Sequence, residues 1–493
     1  MGESLTDHYH HRCSNHRQQG VALIIMLTLL VLAGLGLVIT GLNLSDGQAE
    51  REQITTAALA EAKQALLDHG IFLGYESSTD PGYYSLPCPD RSVDAIAEGG
   101  ADGSCTVGLG KTAVGRLPWR TLGLPPIIDG SGECLWYVLS GNQNTSKLAS
   151  NGSLFNPDSK GQLEIRNLSD TILAGNAPEE RTIAAIIAPG SALAGQNRTA
   201  LPNGVDHCGG NYTADNYLDN TNGIDNASPS TITDAVTQLI TTHQATESLN
   251  DRIIWITRQE LADVFTQKVN YQDKNGRTFN DKIDNLLLEI GICLANYDTG
   301  GLSRLPWAAP LALADYRVDA NYDDAPNQLF GRLPMRIDDS NTDSGNGAAA
   351  SYVEDCLAAN PNTEIENYRK HWKDHLFYAV AGDHAPDQVA LPNCNTGNCL
   401  SVDGSGDYAA IILFAGLPVS TLNQIRNDAF PVGDVDTKQQ LASYLEGSNL
   451  ANFPDNNGDK DYANTALPGI NDRLFCIDSA DLLNGIQPDG ACD

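Results

Sequence analysis

The chain contains an internal repeat, and this repeat limits its fold more than any other feature of the sequence. Six short segments of the first half recur in the second half in the same order, five of them at offsets between 216 and 227 residues and one at an offset of 241. Chance gives one such match, but not six in register. The matching pairs are GRLPWRTLG at 115 and GRLPMRIDD at 331, CLWYVLSGN at 134 and HLFYAVAGD at 375, AAIIAPG at 184 and AAIILFAG at 409, NYLDNTNGIDN at 216 and SYLEGSNLANFPDN at 443, NDRIIWIT at 250 and NDRLFCID at 471, and LLDHGIFLGY at 66 and LLEIGICLANY at 287.

Each copy is predicted to contain a helix, a turn with Leu-Pro, and several short strands. The strands are predicted where apolar runs rich in β-branched and aromatic residues are bounded by Gly, Asn, Asp and Pro. They are LWYVLS, IAAIIA and RIIWIT in the first copy, and LFYAVA, YAAIILFA and RLFCI in the second. A helix packed on an antiparallel sheet is an α+β arrangement. We therefore expect two tandem helix-plus-antiparallel-sheet modules, at 46–262 and at 278–493 with the C-terminal tail, separated by a polar joint at 263–277.

Cysteine usage indicates disulfides. Ten of the eleven cysteines follow the apolar stretch near the N-terminus, and an even set on one side of such a stretch is typical of an oxidising compartment. Cys394 and Cys399 are close enough to close a small loop, and Cys476 and Cys492 could close the C-terminal tail, while the other pairings stay open. The cysteines do not follow the repeat, which argues against a catalytic or metal site shared by both modules.

The apolar stretch near the N-terminus predicts a membrane-spanning helix. No charged residue lies between Gln18 and Ser45, and a bilayer is crossed by about 20 apolar residues in a helix. Arg12 and Arg17 precede the stretch, which places its N-terminal side in the cytoplasm. We therefore expect residues 21–45 to span the membrane.

A helical pattern continues beyond the apolar stretch. Ile54, Ala58, Ala62 and Leu66 recur every four residues and form an apolar stripe on one helical face. Gly70 is a plausible end of this helix. The sequence thus predicts one long helix, half in the membrane and half under a globular head.

This N-terminal layout resembles that of the type IV pilins and the type II secretion pseudopilins. The resemblance covers about the first 70 residues: a short polar leader that ends in Gly, an uncharged run, and an amphipathic continuation. In that family a prepilin peptidase cuts after the Gly and methylates the new N-terminus. Carried over to this chain, residues 1–20 are the leader and the cut falls between Gly20 and Val21.

One position departs from the pattern of that family. Most members carry Glu at the fifth mature position, and this chain has Ile25 there. In the family that Glu is thought to neutralise the N-terminal amine of a neighbouring subunit during assembly. A carboxylate in lipid is costly without a partner, so a subunit with none above it has no use for one. Ile25 is therefore similar to the residue of minor subunits at a filament tip.

An acidic loop in the second half is a candidate calcium site. In PDNNGDKDY, the residues Asp455, Asn457, Asp459 and Asp461 alternate along the chain, and oxygen ligands at such spacing can surround Ca²⁺. The loop is not an EF-hand, because Gly458 falls at the fourth place and no Glu follows at the twelfth. A solvated acidic turn is the alternative. No other cofactor is expected.

The sequence gives no indication of an enzyme. It has no G-x-S-x-G elbow, no P-loop and no dinucleotide fingerprint. His371 and His375 have the spacing of zinc ligands on a helix, but the Glu of H-E-x-x-H is replaced by Trp372. Arg116 and Arg332, in the repeated turn, are each expected to pair with a carboxylate. A formal charge of −32 argues against nucleic acid as a partner.

These observations together predict a minor pilin-like subunit with a duplicated head. It is expected at the tip of a pilus or of a secretion pseudopilus, where it initiates assembly or contacts a surface or substrate. Its expected partners are prepilin peptidase, other pilin or pseudopilin subunits and the inner membrane. The expected location is a single pass through the inner membrane of a Gram-negative bacterium, with a periplasmic head. The alternative is a membrane-anchored periplasmic binding protein or adhesin that enters no filament.

Overall fold

The computed structural model describes residues 47–69, 86–143, 154–199, 207–297, 303–337, 356–357 and 363–452, with short gaps inside these ranges, and then 461–464 and 471–492. The predicted leader 1–20 and the predicted membrane segment 21–45 lie outside the described residues, and so do Gly20, Val21 and Ile25. Below, the first half means residues 47–262 and the second half means residues 278–492.

The first half consists of one long helix and nine short strands in the part that the structure describes. Helix α1 covers residues 47–69. The strands are β1 (Ala113–Arg116), β2 (Trp136–Leu139), β3 (Leu163–Asn167), β4 (Ile172–Ala174), β5 (Ala184–Ala188), β6 (Asn220–Thr221), β7 (Ile224–Asp225), β8 (Thr237–Thr241) and β9 (Arg252–Ile256).

Four of these strands form the main sheet of the first half. Its order is β1-β2-β5-β9, and every neighbouring pair is antiparallel. A smaller sheet has the order β4-β3-β8, with β3 and β8 parallel. Strands β6 and β7 form a separate pair.

The second half follows a connecting helix, α2 (Arg258–Val269). Its long helix is α3 (Phe279–Ala295), which begins at the N-cap Thr278, whose side chain accepts from the N–H of Asp281. The remaining elements are β10 (Phe330–Arg332), α4 (Thr363–Trp372), β11 (Leu376–Val380), β12 (Leu400–Val402), β13 (Ser405–Phe414), α5 (Gly447–Asn452), β14 (Asp461–Tyr462), β15 (Arg473–Asp478) and α6 (Ser479–Leu483).

The main sheets of the two halves have the same strand order and register. In the second half β10, β11, β13 and β15 are neighbours in that order, all antiparallel, just as β1, β2, β5 and β9 are in the first. Gly115 lies opposite Tyr137, and Gly331 lies opposite Tyr378. The parallel pair β3 and β8 likewise has a counterpart, because β12 and β14 are also parallel.

Each main sheet is covered on both faces. Successive side chains of a strand point to opposite faces, so both sets are apolar in these strands. One face of each main sheet packs with its long helix, α1 or α3, in a core cluster that contains residues of both halves. The other face packs against the smaller strands in a separate cluster for each half. The two halves therefore share one continuous core.

The six strands predicted from the repeated apolar runs are present as β2, β5, β9, β11, β13 and β15. The repeated Gly-Arg turn is partly strand, since it closes β1 and β10. The predicted joint at 263–277 is partly helical, because α2 runs through its first residues. In the predicted helical stripe Ala58, Ala62 and Leu66 are buried, whereas Ile54 is 43% exposed.

The prediction that these cysteines form disulfides is confirmed. Cys394 is bonded to Cys399 and Cys476 to Cys492, the two pairs that lie close in the sequence. The other three pairs are Cys88–Cys105, Cys134–Cys208 and Cys293–Cys356. Every bond joins residues of the same half, so the halves are held together by packing and polar contacts.

The predicted fold class is wrong about the N-terminal helix. Among the described residues, no helix is both long and apolar enough to cross a membrane. The two longest described helices carry charges on their outer faces, as the sequence FNDKIDNLLLEIGICLA of α3 shows. The fold is mixed α/β, with mostly strands and short helices. The predicted single-pass location in the inner membrane is corrected with it, because it rested on that helix.

A glycine on α3 allows the helix to approach its sheet. A Cβ added at Gly291 would lie 2.2 Å from the ring of Phe475 on β15. Ala normally stabilises a helix interior by about 0.5–1 kcal/mol relative to Gly, but we expect Gly291→Ala to destabilise the protein by roughly 1–3 kcal/mol through overpacking. Denaturant unfolding measures this. The control is Gly47→Ala on α1, whose added Cβ meets no atom within 4 Å; an equal effect of both variants would contradict the packing argument.

Candidate interaction site

A buried polar cluster ties together the loops of the first half. The Asp219 carboxylate accepts the N–H groups of Asn250 and Asp251 at 2.6 and 3.1 Å, and Asp251 in turn accepts the N–H of Asp219 at 2.8 Å. Asn226 donates its side-chain amide to Asp251 and to the carbonyl of Ile240 on β8, both at 2.8 Å. The cluster therefore fastens the small sheet to the start of β9.

The second half has the same cluster at equivalent positions. Glu446 accepts the N–H of Asn471 at 3.3 Å, and Asp472 accepts the N–H of Glu446 at 3.5 Å. Asn449 donates to Asp472 at 3.1 Å and to the carbonyl of Ala463 at 3.2 Å. These residues correspond one by one to those of the first half.

An arginine and a glutamine complete both clusters. Gln196 donates to Asp219 at 3.0 Å, and Gln424 donates to Glu446 at 2.9 Å. Arg198 donates to the carbonyls of Gly190 and Asn216, and Arg426 donates to those of Gly416 and Ser443. Each guanidinium also lies over a tyrosine ring, Tyr217 at 4.8 Å and Tyr444 at 4.5 Å.

The paired acids favour one shared proton. Burial, and then the charge of Glu446, raises the pKa of Asp472 to about 8. Burial followed by the charge of Asp219 raises the pKa of Asp251 well above its usual value in the same way. Each half thus keeps a buried carboxyl protonated at neutral pH, where it holds loops together instead of carrying charge.

The repeated arginines Arg116 and Arg332 bind backbone carbonyls, not the carboxylates expected from the sequence. Arg116 donates to the carbonyls of Gly209 and Asn211, both at 2.8 Å. Arg332 donates to the carbonyls of Asp374 and Lys438. Both guanidinium groups are buried among aromatic rings, so they anchor the loops that pack on the small sheets.

The two halves meet at a buried ionic junction. Asp158 of the first half lies 2.8 Å from Nε2 of His375 and 3.6 Å from the guanidinium of Arg426. Nδ1 of His375 is 2.8 Å from the carbonyl oxygen of Ala415. Burial alone would raise the pKa of the Asp158 carboxyl, but Arg426 and then His375 hold it far below its usual range. Asp158 is therefore ionised and bound across the junction.

Further polar contacts extend this junction. Asn156 donates to the Asp374 carboxylate at 2.8 Å, and Lys438 neutralises the same carboxylate. Arg181 of the first half makes two hydrogen bonds to Asp434 of the second half, at 2.7 and 3.0 Å. Lys160 reaches Asp434 at 2.5 Å. Such bidentate and networked pairs fix an orientation as well as contributing energy.

The junction contains three groups of the kind that bind metals. Asp158, Asp374 and His375 have ligand atoms within 4.8 Å of one another. However, Arg426 and Lys438 already balance both carboxylates, and a cation there would be added beside two positive charges. The arrangement is therefore suited to joining the halves and not to holding a metal.

The surface of the first half carries a two-part groove beside α1. The wider part has a volume of about 780 Å³ and is lined by polar groups such as Arg51, Asp129, Ser191 and Asn250. The narrower part, of about 350 Å³, is mostly apolar and lies between α1 and β9. Both parts include His243 and Arg252, so they form one continuous concave surface.

The other predicted site residues are only partly covered by the structure. Asp455, Asn457 and Asp459 lie outside the described residues, so the calcium site stays a prediction. Asp461 begins β14, and its Oδ1 accepts hydrogen bonds from the hydroxyl of Ser401 at 2.9 Å and from the N–H of Gly404 at 2.7 Å. His371 is buried on α4, and His375 just precedes β11.

Sequence reasoning missed both the polar clusters and the junction. The clusters had a signal, because a Gln-x-Arg triplet occurs at 196 and at 424, and Asn-Asp opens the repeated segments at 250 and 471. The junction had none, because Asp158 and His375 are 217 residues apart and have no relation in the repeat.

Comparison of the chain with models of known protein families, with curated proteins and with solved structures gives no match.

The raised pKa of Asp472 predicts a stability that falls as pH rises. A carboxyl with a pKa near 3.8 when unfolded and about 8 when folded binds more protons in the folded state between these values. The free energy of unfolding should then fall by up to about 1.4 kcal/mol per pH unit in that window, and Asp472→Asn should reduce this slope. Denaturant unfolding between pH 5 and 8 measures it. The exposed Asp407→Asn is the control, and equal slopes in all three proteins would refute the prediction.

Removing the charge of Asp158 should weaken the junction. Asp158→Asn leaves Arg426 buried beside a neutral group, and breaking a buried ion pair typically costs about 3–5 kcal/mol. We expect a fall of that size in the free energy of unfolding at pH 7. Asp170→Asn, at a side chain that is 75% exposed, serves as the control and should cause no measurable change. A junction variant as stable as this control would show that the ion pair contributes little.

Proposed function

We propose that this chain is a minor pilin-like subunit that acts through assembly and binding. The observation that carries the proposal is the repeated unit of the fold: a long helix packed along one face of a four-stranded antiparallel sheet, present twice with one register. A helix on an antiparallel sheet is the head architecture that the resemblance to pilins and pseudopilins implies. The N-terminal sequence motif of residues 1–25 adds a second, independent argument.

A position at the end of a filament accords with the size and composition of the molecule. The two halves share a core and an ionic junction, so they form one broad head instead of two flexibly linked ones. A repeating subunit needs room for identical copies above and below it, and a doubled head occupies that room. Ile25, in place of the usual Glu, removes the group that would contact a subunit above. Both features favour a terminal subunit.

A binding role, and not catalysis, is supported by the state of the ionisable groups. In the described part of the chain, the strongly perturbed carboxyls lie in the two loop-fastening clusters and at the junction, where hydrogen bonds and cations occupy them. A catalytic acid or base must reach a substrate. The accessible concave surface is instead the groove beside α1, whose walls are helix, strand edge and loop.

The disulfides agree with a protein that works outside the reducing cytosol. Five bonds within the two halves close loops of 5 to 74 residues. Such bonds persist in oxidising environments and limit the unfolded chain. This property suits a head that is displayed for contact with other subunits, a surface or an exported substrate.

The mass of the N-terminal peptide tests the proposal. Protein isolated from its native host should begin with an N-methylated Val21, since the peptidase of the pilin family cuts after Gly20. Gly20→Leu should leave the leader attached, whereas Gln19→Asn should still be processed. An intact leader in the native protein would overturn the proposal and favour a binding protein that enters no filament.

A further inference from the structure

The last strands of the two main sheets, β9 and β15, differ in one respect. The outer edge of β15 is covered by the C-terminal tail: Cys476 donates its N–H to the carbonyl of Gly490 in an antiparallel bridge, and the Cys476–Cys492 disulfide holds the tail there. The residue of β9 that corresponds to Cys476 is Trp255, which has no sulfur to hold a tail.

The backbone of Trp255 points away from its sheet. Alternate residues of an edge strand direct their N–H and C=O groups outward. Ile253, two residues earlier, shows which set is outward, because its N–H donates to the hydroxyl of Thr241 at 3.0 Å and not to β5. Trp255 has the same orientation, and among the described residues none accepts its N–H. This orientation is the one that Cys476 has towards Gly490.

The edge at Trp255 opens into the narrow part of the groove. Residues 252–255 line that part along one side, and Leu59 and Lys63 of α1 line it along the other. Leu173 of β4, which is 39% exposed, adds an apolar wall. The space of about 350 Å³ therefore runs along a strand edge and offers apolar contacts for a side chain next to it.

The charges around this edge allow an approaching peptide. Lys63 is paired with Glu260, and Arg252 is paired with Glu52, so the walls are close to neutral in a chain of net charge −32. A second copy of the chain is a poor occupant, because its tail is bound to its own β15 and two such acidic molecules repel each other.

We propose that the edge of β9 binds an extended peptide segment of a different protein by strand addition. The segment pairs its backbone with Trp255, as Gly490 pairs with Cys476, and has a small residue at the paired position. Its neighbouring apolar side chain enters the space between Leu59 and Leu173. Main-chain hydrogen bonds supply affinity in this mode, and the pocket supplies selectivity. The inference is independent of the pilin-like function, because it rests only on the geometry of β9.

The chain itself supplies the probe for a test. The peptide Ile-Gln-Pro-Asp-Gly-Ala-Ser-Asp reproduces residues 486–493 with Ser in place of Cys492. Hydrogen exchange of the intact, disulfide-bonded protein is followed by mass spectrometry with and without saturating peptide. We expect exchange at residues 252–256 to slow by roughly tenfold at the amide of Trp255, the effect of one added backbone hydrogen bond. Residues 473–478 are an internal control and should not change, because the tail already covers them.

Two controls separate strand addition from unspecific contact. A peptide with N-methylglycine at the Gly position cannot donate a backbone hydrogen bond there and should give no protection. Trp255→Pro removes the outward N–H and should abolish binding, whereas Trp255→Phe keeps this N–H and should retain it. Absence of protection at β9, or equal protection by the N-methylated peptide, would overturn the proposal even if the Pro variant fails to fold.

Discussion

The buried carboxylate of Asp158 connects the two halves of this molecule, and their mutual orientation depends on it. It is ionised because Arg426 and His375 offset the cost of taking it out of water. An apolar core alone resists sliding only weakly, since many packings of similar residues are close in energy. A charged group that has all its partners in one arrangement gives that arrangement a clear advantage. Asn156, Lys160 and Arg181 extend the same restriction to the edge of the interface.

The junction also shows how the two halves have diverged. Arg198 and Arg426 occupy the same place in their clusters and donate to equivalent carbonyls. The free side of Arg198 pairs with Glu133, a partly exposed acid of its own half, whereas Arg426 turns to Asp158 across the junction. His375 corresponds in the repeat to Cys134, which forms a disulfide instead. One scaffold position thus serves a local cross-link in the first half and the contact between halves in the second.

The same divergence leaves the two sheet edges in different states. An open strand edge invites pairing with another chain, and proteins usually cover or interrupt it. The tail and its disulfide close β15. At β9 the hydroxyl of Thr241 satisfies one outward group, but the groove beside α1 leaves the next residue accessible. The asymmetry between the halves is therefore concentrated at the surface, while the buried polar clusters remain alike.

The sequence alone determined the repeated strands, the two long helices outside the predicted membrane segment and the disulfide bonding, because these follow from local patterns: apolar runs, helical spacing and cysteine count. It did not determine the fold class correctly at the N-terminal helix, and it assigned carboxylate partners to Arg116 and Arg332 where the structure has carbonyls. Only the tertiary structure decided that the halves share one core, that Asp158 meets His375, and that one sheet edge is open. Those contacts join residues more than two hundred positions apart, and their energies depend on burial and charge balance, which no local pattern specifies.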